Sequence, residues 1–179
     1  MSVPALILLQ IADWALTLGH SVEELKGRLA DYFGAIAGVR IPAWVGVVFF
    51  FAGLTGVLWV VGAIGIVGTY SWPNRCTVAM LGLLMGCRVA DGLFSHVLLH
   101  VKGFRPNPGL KTTPLYFAEA VLLCAVFAES LRQYLVSAIV GFLLGALMFY
   151  SIFPLLRHYG SQLWPAQPAW QAGSPRPAS

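Results

Sequence analysis

The sequence His20-Ser21-Val22-Glu23-Glu24 follows an apolar segment that covers residues 4–18. In a helix, the two glutamates lie three and four residues after the histidine, so all three side chains share roughly one face. Asp13, seven residues before the histidine, falls on the same stripe. One histidine and three acids on a stripe at the edge of a membrane are costly to place, which indicates that the stripe has a function.

The composition is that of an integral membrane protein. Of the 179 residues, 58% are hydrophobic and only 10% are charged, whereas soluble domains carry about 25% charged residues. The six Trp, six Tyr and eleven Phe suit aromatic belts at the membrane interface as well as helix packing. The net charge of +4 fits cytoplasmic loops that face anionic lipid, and no nucleic-acid partner is expected. The three cysteines are isolated and are expected to be packed thiols.

The hydropathy pattern predicts an all-α, polytopic bundle of about five transmembrane helices in residues 1–157, followed by a Pro-rich, disordered tail in residues 158–179. The spans are expected at residues 4–26, 43–69, 76–101, 113–130 and 133–156. The last two could form a re-entrant pair, but their lengths favour two crossings. Residues 26–40 are expected to form an interfacial loop or a short amphipathic helix. Small residues suit close helix contacts within the bundle or between two copies of the chain, at Gly62, Gly65, Gly68, Gly141 and Gly145.

The basic residues predict the orientation of this bundle. With five spans, one side holds eight of them: Lys26, Arg28, Arg40, Lys102, Arg105, Lys111, Arg157 and Arg176. The other side holds only Arg75 and Arg132. By the positive-inside rule the crowded side is cytoplasmic, so the N-terminus is expected outside and the C-terminus inside the cell.

Further polar residues are expected to converge with the His20 stripe at the cytoplasmic end. His96 and His100 lie four residues apart near the end of the third span, and Glu119 lies near the start of the fourth. The loop Asn107-Pro108-Gly109 would cover them. Histidines at i, i+4 and His-x-x-Glu at i, i+3 are spacings with which neighbouring helix residues bind one metal ion. The alternative is that the two glutamates after His20 pair with basic residues among the lipid headgroups.

These spacings predict two sets of functional residues. The expected ligands of a single transition-metal ion, zinc or iron, are His20, Glu24, His96 and His100. The expected catalytic residues are Glu23, Glu24, Glu119 and Asn107. Arg88 and Asp91, three residues apart in the third span, are expected to neutralise each other. Asp13 is expected either to complete that pair or to hold His20 through a hydrogen bond.

The arrangement of these motifs resembles that of a family of integral membrane proteins named for an HXXEE motif. The likeness rests on His20, Glu23 and Glu24 and on the later sequence Pro108-Gly109…Thr112, and it covers most of residues 5–155. It implies a helical membrane protein with enzymatic activity. It does not specify the reaction.

Three classes of function fit these observations. The first is a membrane enzyme for a lipid-like or isoprenoid substrate that enters between helices, either with a metal ion or as an acid–base isomerase or cyclase. The second is a proton-coupled transporter, which is disfavoured because the polar residues cluster on one side instead of forming a path across. The third is a structural subunit with the glycine-rich faces as its interface. The expected partners are membrane lipid, a hydrophobic small-molecule substrate and, through those faces, a second copy of the chain.

Overall fold

The computed structural model describes residues 1–163, and every regular element in this part of the chain is a helix. The helices are α1 (Val3–Lys26), α2 (Leu29–Ala37), α3 (Ala43–Ser71), α4 (Arg75–Val101), α5 (Thr113–Val126), α6 (Ala128–Gln133) and α7 (Leu135–Leu163). Four of them, α1, α3, α4 and α7, are long and apolar enough to cross a membrane. The predicted all-α membrane bundle is therefore confirmed.

The main helices begin where the sequence offers capping groups. Ser2 precedes α1, and its Oγ accepts a hydrogen bond from the backbone N–H of Ala5. Asn74 precedes α4, and its Oδ1 accepts from the backbone N–H of Thr77, whose Oγ1 accepts from the N–H of Asn74. This reciprocal capping box separates α3 from α4 by a tight turn.

The segment expected to form the fourth crossing consists of two short helices. α5 has only 14 residues, too few to span a bilayer that needs about 20, and a break at Phe127 separates it from α6. Glycine contacts show that α4 and α7 run parallel, because Gly82 faces Ala138 and Gly86, one turn later, faces Phe142. Two parallel helices need a return segment between them, so residues 113–133 carry the chain back across the bundle.

The glycine-rich faces are occupied within the chain. A Cβ on Gly62 would lie 2.3 Å from Asp13 Oδ2 on α1, and one on Gly65 would lie 2.8 Å from the backbone of Leu81 on α4. On α7, a Cβ on Gly141 would lie 2.0 Å from the carbonyl oxygen of Ala79. These glycines therefore make the close contacts within the bundle that were expected as one alternative, and a contact between two copies of the chain stays a prediction. They let α3 and α7 pack tightly against α1 and α4.

The segment after α1 is an amphipathic helix rather than a loop. α2 buries Leu29, Ala30 and Phe33 against the start of α3, where Val45 and Phe50 belong to the same apolar cluster. At the other end of the chain, α7 continues to Leu163. Residues 158–163, the start of the predicted tail, thus belong to this helix, and the rest of that predicted tail, residues 164–179, lies outside the described part.

Candidate metal centre

Four side chains from two helices converge at the end of the bundle near α2. One ligand atom from each lies within 4.8 Å of the others, and all four residues are buried: His20 and Glu24 from α1, Asp91 and His96 from α4. Three of the four predicted ligands are thus brought together. The fourth, His100, is not among them, and Asp91 takes its place.

The local geometry of α4 explains why Asp91 belongs to the cluster. His20 and Glu24 are four residues apart, one turn of an α-helix, whereas Asp91 and His96 are five apart and would diverge on such a helix. Residues Asp91–Leu98 instead form π-helical turns. A π-helical hydrogen bond joins residues five apart, which brings Asp91 and His96 onto the same side. His100 lies one turn further along α4 and is not part of the cluster.

The separations between the converging atoms match a tetrahedral set of ligands. His20 Nε2 lies 3.1 Å from Asp91 Oδ2, 3.2 Å from His96 Nε2 and 3.4 Å from Glu24 Oε1. His96 Nε2 lies 3.4 Å from Glu24 Oε1 and 3.5 Å from Asp91 Oδ2. Ligands around a tetrahedral ion with bonds of about 2.0–2.1 Å are separated by about 3.3–3.4 Å. Five of the six separations are thus close to those of such an ion, and the sixth, between Glu24 and Asp91, is no longer than 4.8 Å.

A loop amide fixes the orientation of the His96 ring. Asn107 Nδ2 donates to the backbone carbonyls of His96 (2.8 Å) and Ser95 (3.3 Å), which can only accept. The amide oxygen of Asn107 therefore faces His96 Nδ1 at 2.9 Å and accepts its hydrogen. Asn107 Nδ2 also contacts the hydroxyl of Tyr32 at 2.7 Å. Burial raises the pKa of Tyr32 to about 12, so this hydroxyl stays protonated.

A hydroxyl from the same loop orients His20. Thr112 Oγ1 lies 2.6 Å from His20 Nδ1, 2.8 Å from Glu23 Oε2 and 3.1 Å from the carbonyl of Gly109. The carboxylate and the carbonyl can only accept, so they compete for the single hydroxyl proton and His20 Nδ1 must donate to Thr112. Glu23 also accepts from the backbone N–H of Lys111 and of Thr112. These contacts tie the loop to α1 and link Glu23, which was predicted to be catalytic, to His20 through Thr112.

These contacts leave no hydrogen among the four inward atoms when the imidazoles are neutral. Both Nδ1 atoms carry the ring hydrogen, so both Nε2 atoms present lone pairs to each other and to the oxygens of Glu24 and Asp91. Four acceptors this close repel one another unless a cation or added protons lie between them. A divalent cation would balance the two carboxylates, so the donor set fits such an ion in both spacing and charge.

Arg88 forms a separate buried network in the middle of the bundle. Its Nη2 donates to Asp13 Oδ1 (2.7 Å) and Thr17 Oγ1 (2.6 Å), and its Nε donates to Glu119 Oε2 (2.8 Å). The predicted pair of Arg88 with Asp91 is therefore wrong, and Asp13 serves Arg88 rather than His20. Glu119, predicted to be catalytic, is a partner of Arg88 and lies outside the four-residue cluster.

Tyr116 connects this network to the candidate metal centre. Its ring centroid lies 4.2 Å from that of His20, and the Arg88 guanidinium carbon lies 4.3 Å from the same ring. Tyr116 is only 2% exposed. Tyr116 could not be predicted from sequence as a neighbour of the site, because it follows a proline-rich loop and belongs to no sequence motif. It gives the His20 ring a rigid wall.

No protein-family model, curated protein or solved structure matches this chain.

A small cavity reaches the cluster from the side. It has a volume of about 140 Å³ and lies between α1, α2 and the start of α3. Of the four converging residues, only Glu24 lines it. The opposite approach is closed by the loop, because a Cβ on Gly109 would lie 2.4 Å from His96 Cε1 and 2.9 Å from His20 Cε1. A molecule that reaches the cluster through this cavity meets Glu24 first.

Proposed function

We propose that the protein is an integral membrane metalloenzyme that binds one divalent cation between His20, Glu24, Asp91 and His96 and acts on a lipid-like or isoprenoid substrate. One observation carries the proposal. Four buried acceptor atoms lie within 4.8 Å of one another, and five of their six separations are 3.1–3.5 Å, close to those of a tetrahedral ligand set. Both outer imidazole nitrogens are engaged as donors. Building such a cluster inside an apolar bundle is costly unless a cation neutralises it.

Zinc fits this set better than iron. Zn²⁺ favours four ligands in a tetrahedron and accepts imidazole and carboxylate donors. Non-haem Fe(II) sites use two histidines and one carboxylate and leave positions open for other ligands. The second carboxylate, Asp91, is buried against both histidines, which favours the zinc assignment.

The chain's own residues supply the remaining chemistry. A catalytic zinc site keeps one position open for substrate, so Glu24, which lines the cavity, would have to yield its position to a substrate oxygen. The cation would then be held by His20, Asp91 and His96 and would act as a Lewis acid on that oxygen. Glu24 faces both the cluster and the cavity, and its Oε1 contacts both imidazoles. Its second oxygen is therefore the group in the cluster that can accept a proton from a molecule in the cavity. The apolar walls of the cavity keep bulk water from the site.

Metal content of the purified protein tests this proposal. Elemental analysis should find about one zinc per chain in the wild type, and His20→Ala, Asp91→Ala and His96→Ala should each lose it because three ligands bind zinc less tightly. The matched control is His100→Ala, since His100 lies one turn after His96 on α4 outside the cluster. Equal metal loss in His96→Ala and His100→Ala would contradict the assignment.

The second candidate is an acid–base enzyme without a metal ion. It is supported by the hydrogen-bond chain from His20 through Thr112 to Glu23, which links the buried cluster to a half-buried carboxylate. Protons would then take the place of the cation between the four acceptors. An active wild type without bound metal, unaffected by chelators, would favour this second form over the first.

We also propose that the site faces the cytoplasm, with the N-terminus outside and the C-terminus inside. The parallel directions of α4 and α7 support an odd number of crossings. Exposed basic residues surround the end of the bundle that holds the cluster, at Lys26, Arg28, Arg40, Lys102, Arg105 and Lys111. Such residues favour the cytoplasmic side of a membrane.

A further inference from the structure

The cavity beside Glu24 has the walls of a lipid-binding site. Most of its surface comes from the carbon side chains of Leu25, Leu29, Val47, Phe50 and Phe51. Val47 is 47% exposed, so this wall adjoins the side of the bundle that would face the acyl chains. An apolar cavity of about 150 Å³ holds one benzene molecule, and the 140 Å³ found here therefore suits a segment of roughly six carbons.

The charges at the cavity favour an uncharged occupant. Arg28 and Asp31 both line it and pair with each other through Nε and Oδ2. The third charged residue, Glu24, is engaged by His20 and His96. An anionic head group would compete with Asp31 for the guanidinium, and a cationic one would compete with Arg28 for the carboxylate. A neutral polar group leaves this pair intact and does not lose the hydration of a charge.

One wall residue can donate a hydrogen bond to such a neutral group. Ser21 lines the cavity, and its Oγ accepts a hydrogen bond of 2.8 Å from Thr55 Oγ1. That bond uses one of the two hydroxyl protons and leaves the other available, and within residues 1–163 the structure gives Ser21 no further acceptor. A hydroxyl or ester oxygen is a suitable acceptor. Ser21 thus provides a polar contact in the turn of α1 that holds His20 and Glu24.

We infer that this cavity binds an uncharged, single-chain lipid, with a hydroxyl or ester oxygen at Ser21 and the adjoining carbon chain between α1 and α3. The inference rests on the proposed function, because it places the reactive oxygen of the substrate beside Glu24. It narrows the substrate class to neutral amphiphiles such as monoacylglycerols or prenyl alcohols. It predicts that phospholipids and amines bind less tightly.

Lipid binding to the full-length protein in detergent tests the inference. Native mass spectrometry would compare monooleoylglycerol with two probes that carry a similar chain, the anionic oleoyl lysophosphatidate and the cationic oleylamine. Monooleoylglycerol should bind at least about fivefold more tightly than either charged probe, given the cost of desolvating a charge or displacing the Arg28–Asp31 pair. Equal or tighter binding of a charged probe would overturn the inference.

Two neighbouring substitutions locate the binding site. Val47→Trp places an indole in the cavity and should weaken monooleoylglycerol binding at least about tenfold. Val48→Trp is the matched control, because Val48 is 57% exposed and lies outside the cavity lining. Ser21→Ala should weaken binding about two- to tenfold, whereas Thr55→Val, which leaves the Ser21 hydroxyl in place, should not. Equal losses in the two tryptophan variants would place the lipid elsewhere.

Metal content separates failure of this inference from failure of the proposed function. Val47 is not a ligand, so Val47→Trp should keep the zinc content of the wild type while losing the lipid. A protein that binds zinc but gains no monooleoylglycerol would overturn the lipid inference alone. A protein that binds the lipid in this cavity but contains no metal would overturn the metalloenzyme proposal alone.

Discussion

At the scale of single residues, Thr112 determines how His20 presents its ligand nitrogen. Its hydroxyl accepts from His20 Nδ1 and lies 2.8 Å from Glu23 Oε2. Removing a partner of this kind from a metal-binding histidine lowers metal affinity about 10- to 100-fold. We expect Thr112→Val to weaken zinc binding by this factor, measured by competition with a zinc chelator. Thr112→Ser keeps the hydroxyl and should bind zinc like the wild type; if it binds as weakly as the valine variant, orientation of His20 by this hydroxyl is not the cause.

Arg88 has a structural role, so its replacement should affect stability more than metal binding. It is fully buried, and its loss would leave Asp13 and Glu119 without their cation. We expect Arg88→Met to lower the free energy of unfolding by about 3–5 kcal/mol. Chemical unfolding in detergent, followed by circular dichroism, would measure it. The control is the triple variant Arg88→Met, Asp13→Asn, Glu119→Gln, which removes all three charges and should recover much of the loss.

At the scale of elements, the loop between α4 and α5 closes the site. Gly109 has a φ of +89°, and a Cβ there would lie 2.4 Å from His96. Gly109→Ala should therefore displace the loop and lower zinc binding, measured by elemental analysis after gel filtration. Gly103→Ala is a matched control, because Gly103 has the same φ of +89° but no neighbour within 4 Å of the added carbon. If the two variants lose the same amount of metal, backbone strain rather than contact with the histidines is responsible.

The convergence of α1 and α4 could be predicted from sequence, but the complete ligand set could not. His20, Glu24 and His96 were identified because each lies near the same end of an apolar span. Asp91 was missed because its spacing of five from His96 fits a π-helical turn and not an α-helical one. A composition of apolar and small residues does not distinguish a π-helical turn from an α-helical one. The α-helical spacing of four residues therefore predicted His100, rather than Asp91, as the ligand that accompanies His96.

The partners of Arg88 could not be predicted from sequence either, because they are distant along the chain. Asp91 lies three residues after Arg88, which made the two appear to be partners. Arg88 instead pairs with Glu119, 31 residues later, and with Asp13, 75 residues earlier. The choice depends on which helices surround the arginine in space. A helical periodicity carries no information on that point.

At the scale of the whole molecule, the bounds of the spans were predictable because the bilayer sets their length. The expected segments 43–69 and 76–101 differ by only a few residues from α3 and α4. The fourth crossing is the exception, since it is broken at Phe127 into α5 and α6. Apolar composition predicts that a segment crosses but not where it breaks. At this break, Phe127 and Leu131 pack against the same apolar cluster as Leu81 and Leu84 of α4.

The direction of α5 and α6 gives the last prediction. Because α4 and α7 run parallel, Ser71 and Tyr134 should lie on one side of the membrane and Lys102 and Ser161 on the other. Single cysteines at these four positions, in a chain whose native cysteines are replaced by alanine, would be treated in intact cells with a membrane-impermeant maleimide. The cysteines at 71 and 134 should react from outside, whereas those at 102 and 161 should react only after permeabilisation, because the basic end is expected in the cytoplasm. Reaction of residue 134 together with residue 102 would mean that α5 and α6 form a re-entrant pair. If instead the cysteines at 102 and 161 reacted from outside and those at 71 and 134 only after permeabilisation, the five crossings would stand and only the predicted orientation would be wrong.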